Sequence, residues 1–279
     1  MTTRALAGRK ALVTGGGTGI GFGCARRLLS HGATVTLAAR RLDVLEAAAE
    51  RLRPEANGGE VRVQPCDVTV EEEVAAAVRK AVGPDGHLDI AVANAGTGAP
   101  GPILALGAEQ WRLVNDLNIL GTALTIKHAA LAMRERGGSI VAISSAEGFL
   151  VAKYMAPYSV TKAGVDMLVR CAALELAPFR IRVNCIQPGY VPTESMTLFF
   201  PEDELRRILE ATPLGRPGTA EEIGDAVVYF AADSGAWVTG QVLAVDGGMT
   251  IPVGADFEGL CRRVYGDEVM RGCKGPEPK

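Results

Sequence analysis

The chain lacks the raw material for a metal site, a disulfide framework or a membrane anchor. Its six cysteines (Cys24, Cys66, Cys171, Cys185, Cys261 and Cys273) include no Cys-x-x-Cys pair. Several sit in apolar segments that read as core, so neither disulfides nor zinc are expected. Only three histidines occur, His31, His87 and His128, at no metal-ligand spacing, and no metal is expected. No stretch approaches the ~20 apolar residues of a membrane span, and the opening "MTTRALAGRKALVTGGG" lacks the long apolar run of a signal peptide. The expectation is a soluble, cytoplasmic protein without a membrane partner. Charge of one sign is missing too. The net charge is −3 with both signs spread along the chain, so there is no basic stripe to neutralise phosphates and nucleic acid is not an expected partner.

What is present is apolar material in an orderly pattern. The runs "KALVTG", "TVTLAAR", "VRVQPCD", "DIAVANAG", "SIVAISS", "RIRVNCIQPG" and "GQVLAVDGG" read as strands buried on both faces. Between them, helical patterns cover about 19–31, 41–53, 71–82, 109–135 and 157–177, the last bounded by Pro157 and Pro178. Strands alternating with helices predict a Rossmann-type, doubly wound parallel sheet of seven strands with helices on both faces. The 279 residues show no linker, repeat or second core, so 1–250 reads as one domain and 251–279 as a C-terminal extension. After the sixth strand, "YVPTESMTLFFPEDELRRILEATPLGRPGT" carries four prolines and an amphipathic helix with Leu205, Ile208 and Leu209 on one face. A long excursion at the carboxyl edge of such a sheet usually covers a ligand, so about 190–217 reads as a substrate lid. Thr219 and Glu222 have capping-box spacing for a further helix.

The first strand runs into "TGGGTGIG", with Gly15 closing the strand and Gly19 and Gly21 opening a helix. Glycines at this spacing permit a tight turn and bring backbone N–H groups and a helix N-terminus against a pyrophosphate. Gly15, Gly17, Thr18, Gly19, Ile20 and Gly21 are therefore candidate dinucleotide contacts. A phosphate-binding loop of the ATPase type would need Gly-Lys-Ser/Thr, which is absent. The second strand ends in Arg40 and Arg41 where an NAD site usually places an acid. A guanidinium there pairs with a 2′-phosphate, so NADP(H) is expected over NAD(H), unless the arginines only begin a solvated helix. Asp67, beside Val68 in "CDVT", is either an adenine contact or a helix-start residue.

Taken together, the TGxxxGxG turn, "ANAG" at 93–96, Asn118, Ser145, "YSVTK" at 158–162 and "QPGYVPT" at 187–193 make the chain resemble the short-chain dehydrogenase/reductase superfamily, in its shorter, non-extended branch. The likeness runs from about Ala7 to Gly248, and it departs at Ala93, where the family usually has asparagine. It implies an oxidoreductase that moves a hydride between nicotinamide and a ketone or secondary alcohol. Tyr158 and Lys162 share a helix face at i and i+4, which places an ammonium near a phenol of ordinary pKa ~10 and, with an oxidised nicotinamide, favours the phenolate.

The same resemblance implies the other roles. Tyr158 is general acid and base, Ser145 holds the substrate oxygen, and Asn118 fixes a relay water. Lys162 holds the nicotinamide ribose, Pro188, Gly189, Val191 and Thr193 seat the nicotinamide, and Asn94, Ala95 and Gly96 wall the adenine-side ribose. It also implies a homotetramer or homodimer paired through the helices at 109–135 and 157–177 and the last strand. Two rival readings stand beside it: a catalytically silent nucleotide-binding protein on the same fold, and an epimerase or dehydratase whose cofactor cycles without net redox change.

For the substrate, the segments "AEGFLVAKYMA", "TGAPGP" and "VPTESMTLFF" form the expected pocket, with Ser145, Glu147, Phe149, Leu150, Tyr154, Met155, Tyr158, Met196, Leu198, Phe199 and Phe200. Their apolar bias points to a fairly apolar carbonyl compound or alcohol, with Lys153 and Glu194 as polar anchors. In the extension, Phe257, Leu260 and Val264 have helical spacing, for a helix that packs on its own domain or reaches over a neighbour's pocket, and the end from Gly272 reads as disordered.

Overall fold

Each of the seven apolar runs forms a strand in the computed structural model, which describes residues 4–194, 202–251 and 254–273. They are β1 (Lys10–Thr14), β2 (Thr34–Ala39), β3 (Val61–Pro65), β4 (Ile90–Ala93), β5 (Gly138–Ile143), β6 (Ile181–Pro188) and β7 (Val242–Val245). All pair in parallel, in the order β3-β2-β1-β4-β5-β6-β7. Parallel neighbours need crossovers, and the chain supplies helices: α1 (Gly19–Ser30), α2 (Leu42–Leu52), α3 (Glu71–Val82), α4 (Ala108–Asn115), α5 (Gly121–Met133), α6 (Ala156–Leu176), α7 (Glu202–Glu210), α8 (Ala220–Ala231) and α9 (Glu258–Gly272).

Successive strand residues serve opposite layers. Val13 and Val35 join Leu28, Leu45 and Val227 of α1, α2 and α8, while Leu12 and Ala91 join Val74, Ala129 and Val165 of α3, α5 and α6. Both faces are covered over β1, β2, β4, β5 and β6, and the expected Rossmann-type architecture is present; the edge strands β3 and β7, expected to be buried on both faces, are only partly covered because each has a neighbour on one side alone.

The expected helix at 109–135 is not continuous. Between α4 and α5 the backbone widens into a π-helical turn at Asp116–Leu120, carrying Asn118 at its centre. Widened turns of this kind concentrate at functional sites. At α8 the sequence-level cap forms as read: the Glu222 N–H donates to Thr219 Oγ1 at 3.2 Å, and the Thr219 N–H donates to Glu222 Oε2 at 2.8 Å. On α7, Leu205, Ile208 and Leu209 are the partly covered side.

The extension forms α9, broken at Gly266 (φ 86°), with Phe257, Leu260 and Val264 all exposed rather than packed on the domain. The end expected to be disordered lies mostly outside the described residues. Among the described residues no helix is long and apolar enough to cross a membrane.

Candidate active site

Strand order reverses between β1 and β4, and in open parallel sheets ligands settle at the carboxyl ends of strands flanking such a switch point. A solvent-open cleft of about 690 Å³ lies there. From the expected set it is lined by Gly15, Gly17 and Thr18 after β1, Arg40 and Arg41 after β2, Asp67 and Val68 after β3, and Ala95 and Gly96 after β4. Ala38, Ala39, Val44, Cys66 and Leu117 complete the lining and were not foreseen. Leu117 could not have been, because the widened turn that presents it has no sequence signal.

The glycine turn is built without room for side chains. Gly15 has φ +66°, and a Cβ there would stand 2.7 Å from Asn94 Nδ2; a Cβ on Gly21 would stand 2.2 Å from the Gly15 carbonyl oxygen. Asn94 is the brace: its Nδ2 donates to the carbonyls of Thr14 at 3.0 Å and Gly15 at 3.3 Å, while its own N–H donates to Thr14 Oγ1 at 3.0 Å. Asn94 thus supports the turn from beneath instead of lining the cleft with its neighbours Ala95 and Gly96. Thr193, after β6, comes over the turn, its Cγ2 standing 2.9 Å from where a Gly19 Cβ would be. Pro188 ends β6 and Gly189 packs against Asp246. Val191 is 2% exposed in the core, and Ile20 packs partly buried against the same core, so neither side chain faces the cleft.

Arg40 and Arg41 stand exposed at the rim. Asp67 Oδ1 accepts from the Thr69 N–H at 2.9 Å and Thr69 Oγ1 at 2.7 Å. These bonds, chiefly the backbone one, and the charge of Arg40 hold the carboxyl below its ordinary range. One Asp67 oxygen therefore serves the turn while the residue also lines the cleft; the two sequence readings are compatible.

Beyond the cleft, α6 brings Tyr158 and Lys162 over one another. Lys162 Nζ lies 5.5 Å from the Tyr158 ring centroid and donates to the Ile143 carbonyl at the end of β5, at 2.9 Å. Ser145 comes beside the Tyr158 hydroxyl, and its Oγ accepts from the Glu147 N–H at 3.2 Å. With that lone pair committed, its own hydrogen remains to be donated. Neighbouring Ser144 is turned inward, donating to the Lys162 carbonyl at 3.0 Å.

Asn118 closes the back of the site. Its Nδ2 donates to the Thr97 carbonyl and to Thr161 Oγ1, both at 2.9 Å, and its Oδ1 accepts from the Thr97 N–H at 2.8 Å. Both amide protons are spent on the loop after β4 and on α6, so the side chain has none left to donate to a relay water.

Burial dominates the electrostatics of the pair in the chain by itself. It is the leading cause that pushes the Tyr158 phenol up, to about 12; Ser145 opposes the rise and the Glu147 charge adds to it. Burial also pulls the Lys162 ammonium down, to about 8.

On the substrate side, Phe149 and Tyr154 are exposed at 63% and 54%. Tyr154 takes the left-handed conformation (φ 67°), its carbonyl accepting from the Gly101 N–H at 2.8 Å and its ring lying under Lys153 Nζ at 5.0 Å. The Met155 Cε and the Tyr158 ring both pack against Gly98. Glu147 is partly buried, with Oε2 shielded and unpartnered. Met196, Leu198, Phe199 and Phe200 lie outside the described residues.

Comparison with known proteins agrees with this arrangement. The family model described as enoyl-(acyl carrier protein) reductase matches residues 15–250. Glucose 1-dehydrogenase of Gluconobacter oxydans (strain 621H) is 35% identical over 255 residues, 90% of this chain and 95% of that protein. Cis-4-hydroxycyclohexanecarboxylate dehydrogenase of Sinomonas cyclohexanicum is 39% identical over 252 residues, 88% of this chain and 98% of that protein. A short-chain type dehydrogenase/reductase from Mycobacterium ulcerans superposes with a TM-score of 0.86 at 38% identity, over 96% of this chain and 99% of that one. With likeness in sequence and fold over nearly its whole length, the chain belongs to the short-chain dehydrogenase/reductase family, as an NAD(P)-dependent oxidoreductase acting on alcohol and ketone groups.

Proposed function

We propose that this enzyme interconverts a fairly apolar ketone and its secondary alcohol, prefers NADP(H) to NAD(H), and uses Tyr158 as general acid and base. The observation that carries the reading is the convergence of Tyr158, Ser145 and Lys162 beyond β5, next to a cleft floored by glycine. The residues present fit a dinucleotide, since the cradle at Gly15 and Gly21 is space that a Cβ would fill. When bound, the nicotinamide supplies the hydride donor or acceptor.

In this reading the chain holds and moves the proton. Ser145 donates to the substrate oxygen, and Tyr158 gives that oxygen a proton in reduction or removes one in oxidation. Lys162 binds the nicotinamide ribose and supplies positive charge beside the phenol. Asn118 fixes the relative positions of Thr97 and Thr161 around that pair. Pro188, Gly189 and Thr193, with the main chain at Val191, seat the nicotinamide. Ala95 and Gly96 wall the ribose, and Arg40 and Arg41 face the adenosine end.

The coenzyme preference is tested by paired titrations. NADPH should bind more tightly than NADH, and Arg40→Ala should weaken NADPH at least about tenfold while leaving NADH within about twofold, the scale of one charge-assisted hydrogen bond. Equal losses for both coenzymes would contradict it. For the substrate, exposed Phe149 and Tyr154 with Met155 support an apolar mouth. Lipophilic cyclic ketones should therefore outperform sugars and small polyols by about tenfold or more in kcat/KM; the reverse order would replace the apolar reading with a polar one.

We also propose 1–250 as one catalytic unit, with the extension outside it, assembled as a homodimer or homotetramer. Exposed Leu113 and Leu131 on α4 and α5, Val160, Met167 and Leu174 on α6, and Trp237 and Leu243 near β7 support pairing on those faces.

A further inference from the structure

The face of α6 that carries Tyr158 and Lys162 has a third member. Asp166 follows Lys162 by four residues, as Lys162 follows Tyr158, so the three side chains stack along one helix stripe. Asp166 is 6% exposed, an uncommon setting for an aspartate. Its oxygens accept from Gln187 Nε2 at 2.7 Å and from Cys185 Sγ at 3.4 Å. Both donors sit on β6, and Gln187 directly precedes Pro188 and Gly189. The packing that accommodates the carboxylate is specific: a Cβ on Gly148 would stand 2.8 Å from Asp166 Oδ2 and 3.1 Å from the Lys162 carbonyl carbon. Among the described residues Asp166 forms no ion pair, and its oxygens are held by these two donors.

We propose that Asp166 is a positioning residue for the Tyr158–Lys162 pair: its buried carboxyl group, anchored to β6 by Gln187 and Cys185, stands one helical turn beyond Lys162 as the opposing group to its ammonium and ties the α6 stripe to the strand that leads into Pro188-Gly189. The inference deepens the acid–base reading above and rests on it for its functional meaning.

Four titratable groups stand near Lys162: Tyr158, Cys185, Asp166 and Glu147. A buried ammonium loses its proton readily unless an anion opposes the loss. Burial pulls Lys162 down to about 8, and Cys185, Asp166 and Glu147 act in the other direction. The Cys185 thiol is itself pushed far up, by burial and by Asp166, so it is uncharged where Lys162 titrates. Glu147, on the turn after β5, has a carboxyl raised by burial. Tyr158, raised to about 12, is neutral in the same range. That leaves the two carboxyl groups, Asp166 and Glu147, and of the two only Asp166 is on the stripe and tied to β6.

The test is an NMR titration of the full chain labelled with 13C at the lysine Cε, with the Lys162 signal assigned by its loss in Lys162→Met. Asp166→Asn should lower the Lys162 midpoint by about one pH unit, the size expected when one nearby opposite charge is removed. A loosened structure would let water in and raise the midpoint toward the ordinary lysine value, so the direction separates an electrostatic role from a merely structural one. An unmoved or raised midpoint in folded Asp166→Asn overturns the proposal. Should that variant fail to fold, Asp166→Leu with Gln187→Met removes donor and acceptor together, which buried sites tolerate better than loss of one; the same fall is expected, and its absence is again fatal. The readout needs no substrate. A lowered midpoint with Tyr158→Phe fully active would keep the Asp166–Lys162 coupling and reject the acid–base reading; an unmoved midpoint with Tyr158→Phe inactive would do the opposite.

Discussion

Replacing Tyr158 by phenylalanine is expected to lower kcat by about 10²–10⁴-fold, the range supplied by a positioned general acid or base, while coenzyme affinity and thermal stability stay close to those of the parent. The substitution deletes one oxygen and keeps the ring that lies 5.5 Å from Lys162 Nζ. In energy the loss amounts to about 3–5 kcal/mol of transition-state stabilisation. The fold should notice little, because the hydroxyl can give up at most a single hydrogen bond beside Ser145, worth about 1 kcal/mol net. An equal fall in coenzyme binding would mean that the ring had moved. Full activity would mean that the proton travels by another route.

The second large effect concerns the turn after β1. Gly21→Ala should weaken both NADPH and NADH by about 10–100-fold, with the coenzyme preference unchanged. The new methyl would stand 2.2 Å from the Gly15 carbonyl and 2.6 Å from Asn94 Nδ2, both parts of the turn itself, so relief requires the start of α1 to move off the turn. Overpacking of this kind costs about 1–3 kcal/mol, and that cost falls on the backbone the reading assigns to the pyrophosphate. Gly254→Ala, where nothing lies within 4 Å of the added methyl, is the control and should bind as the parent does. Unchanged affinity in Gly21→Ala would remove the turn from the binding site.

Much of this was legible in the sequence because buried parallel strands announce themselves. A strand covered on both faces is an uninterrupted apolar run; the seven apolar runs are the seven strands, the edge strands β3 and β7 less covered than the five between them, and most helix ends fall within a residue or two. The glycine turn was legible for a similar reason: where backbone must meet backbone, only one residue type serves. What was hidden depends on contacts distant in the chain. The widened turn at Asp116–Leu120 accompanies bonds from Asn118 to Thr97 and Thr161, which a periodic apolar pattern cannot foretell. Asp166 sits in "VDMLVR", where an aspartate reads as a solvated helix residue, and its partners on β6 become neighbours only after folding. The desolvation of Tyr158 was hidden in the same way: spacing reveals the nearby lysine, whereas burial depends on packing from residues distant in the chain, such as the loop at Gly98.

The most direct measurement of the central claim is the nicotinamide absorbance of the purified chain, mixed with NADPH or NADH and a panel of lipophilic ketones, or with the oxidised coenzymes and the matching alcohols, alongside quantitation of the organic product. Coenzyme consumed and product formed should be equal in amount, and both should be slowed by about 10²–10⁴-fold in Tyr158→Phe. Tight coenzyme binding with no absorbance change on any member of the panel, or product formed without net coenzyme turnover, would contradict it.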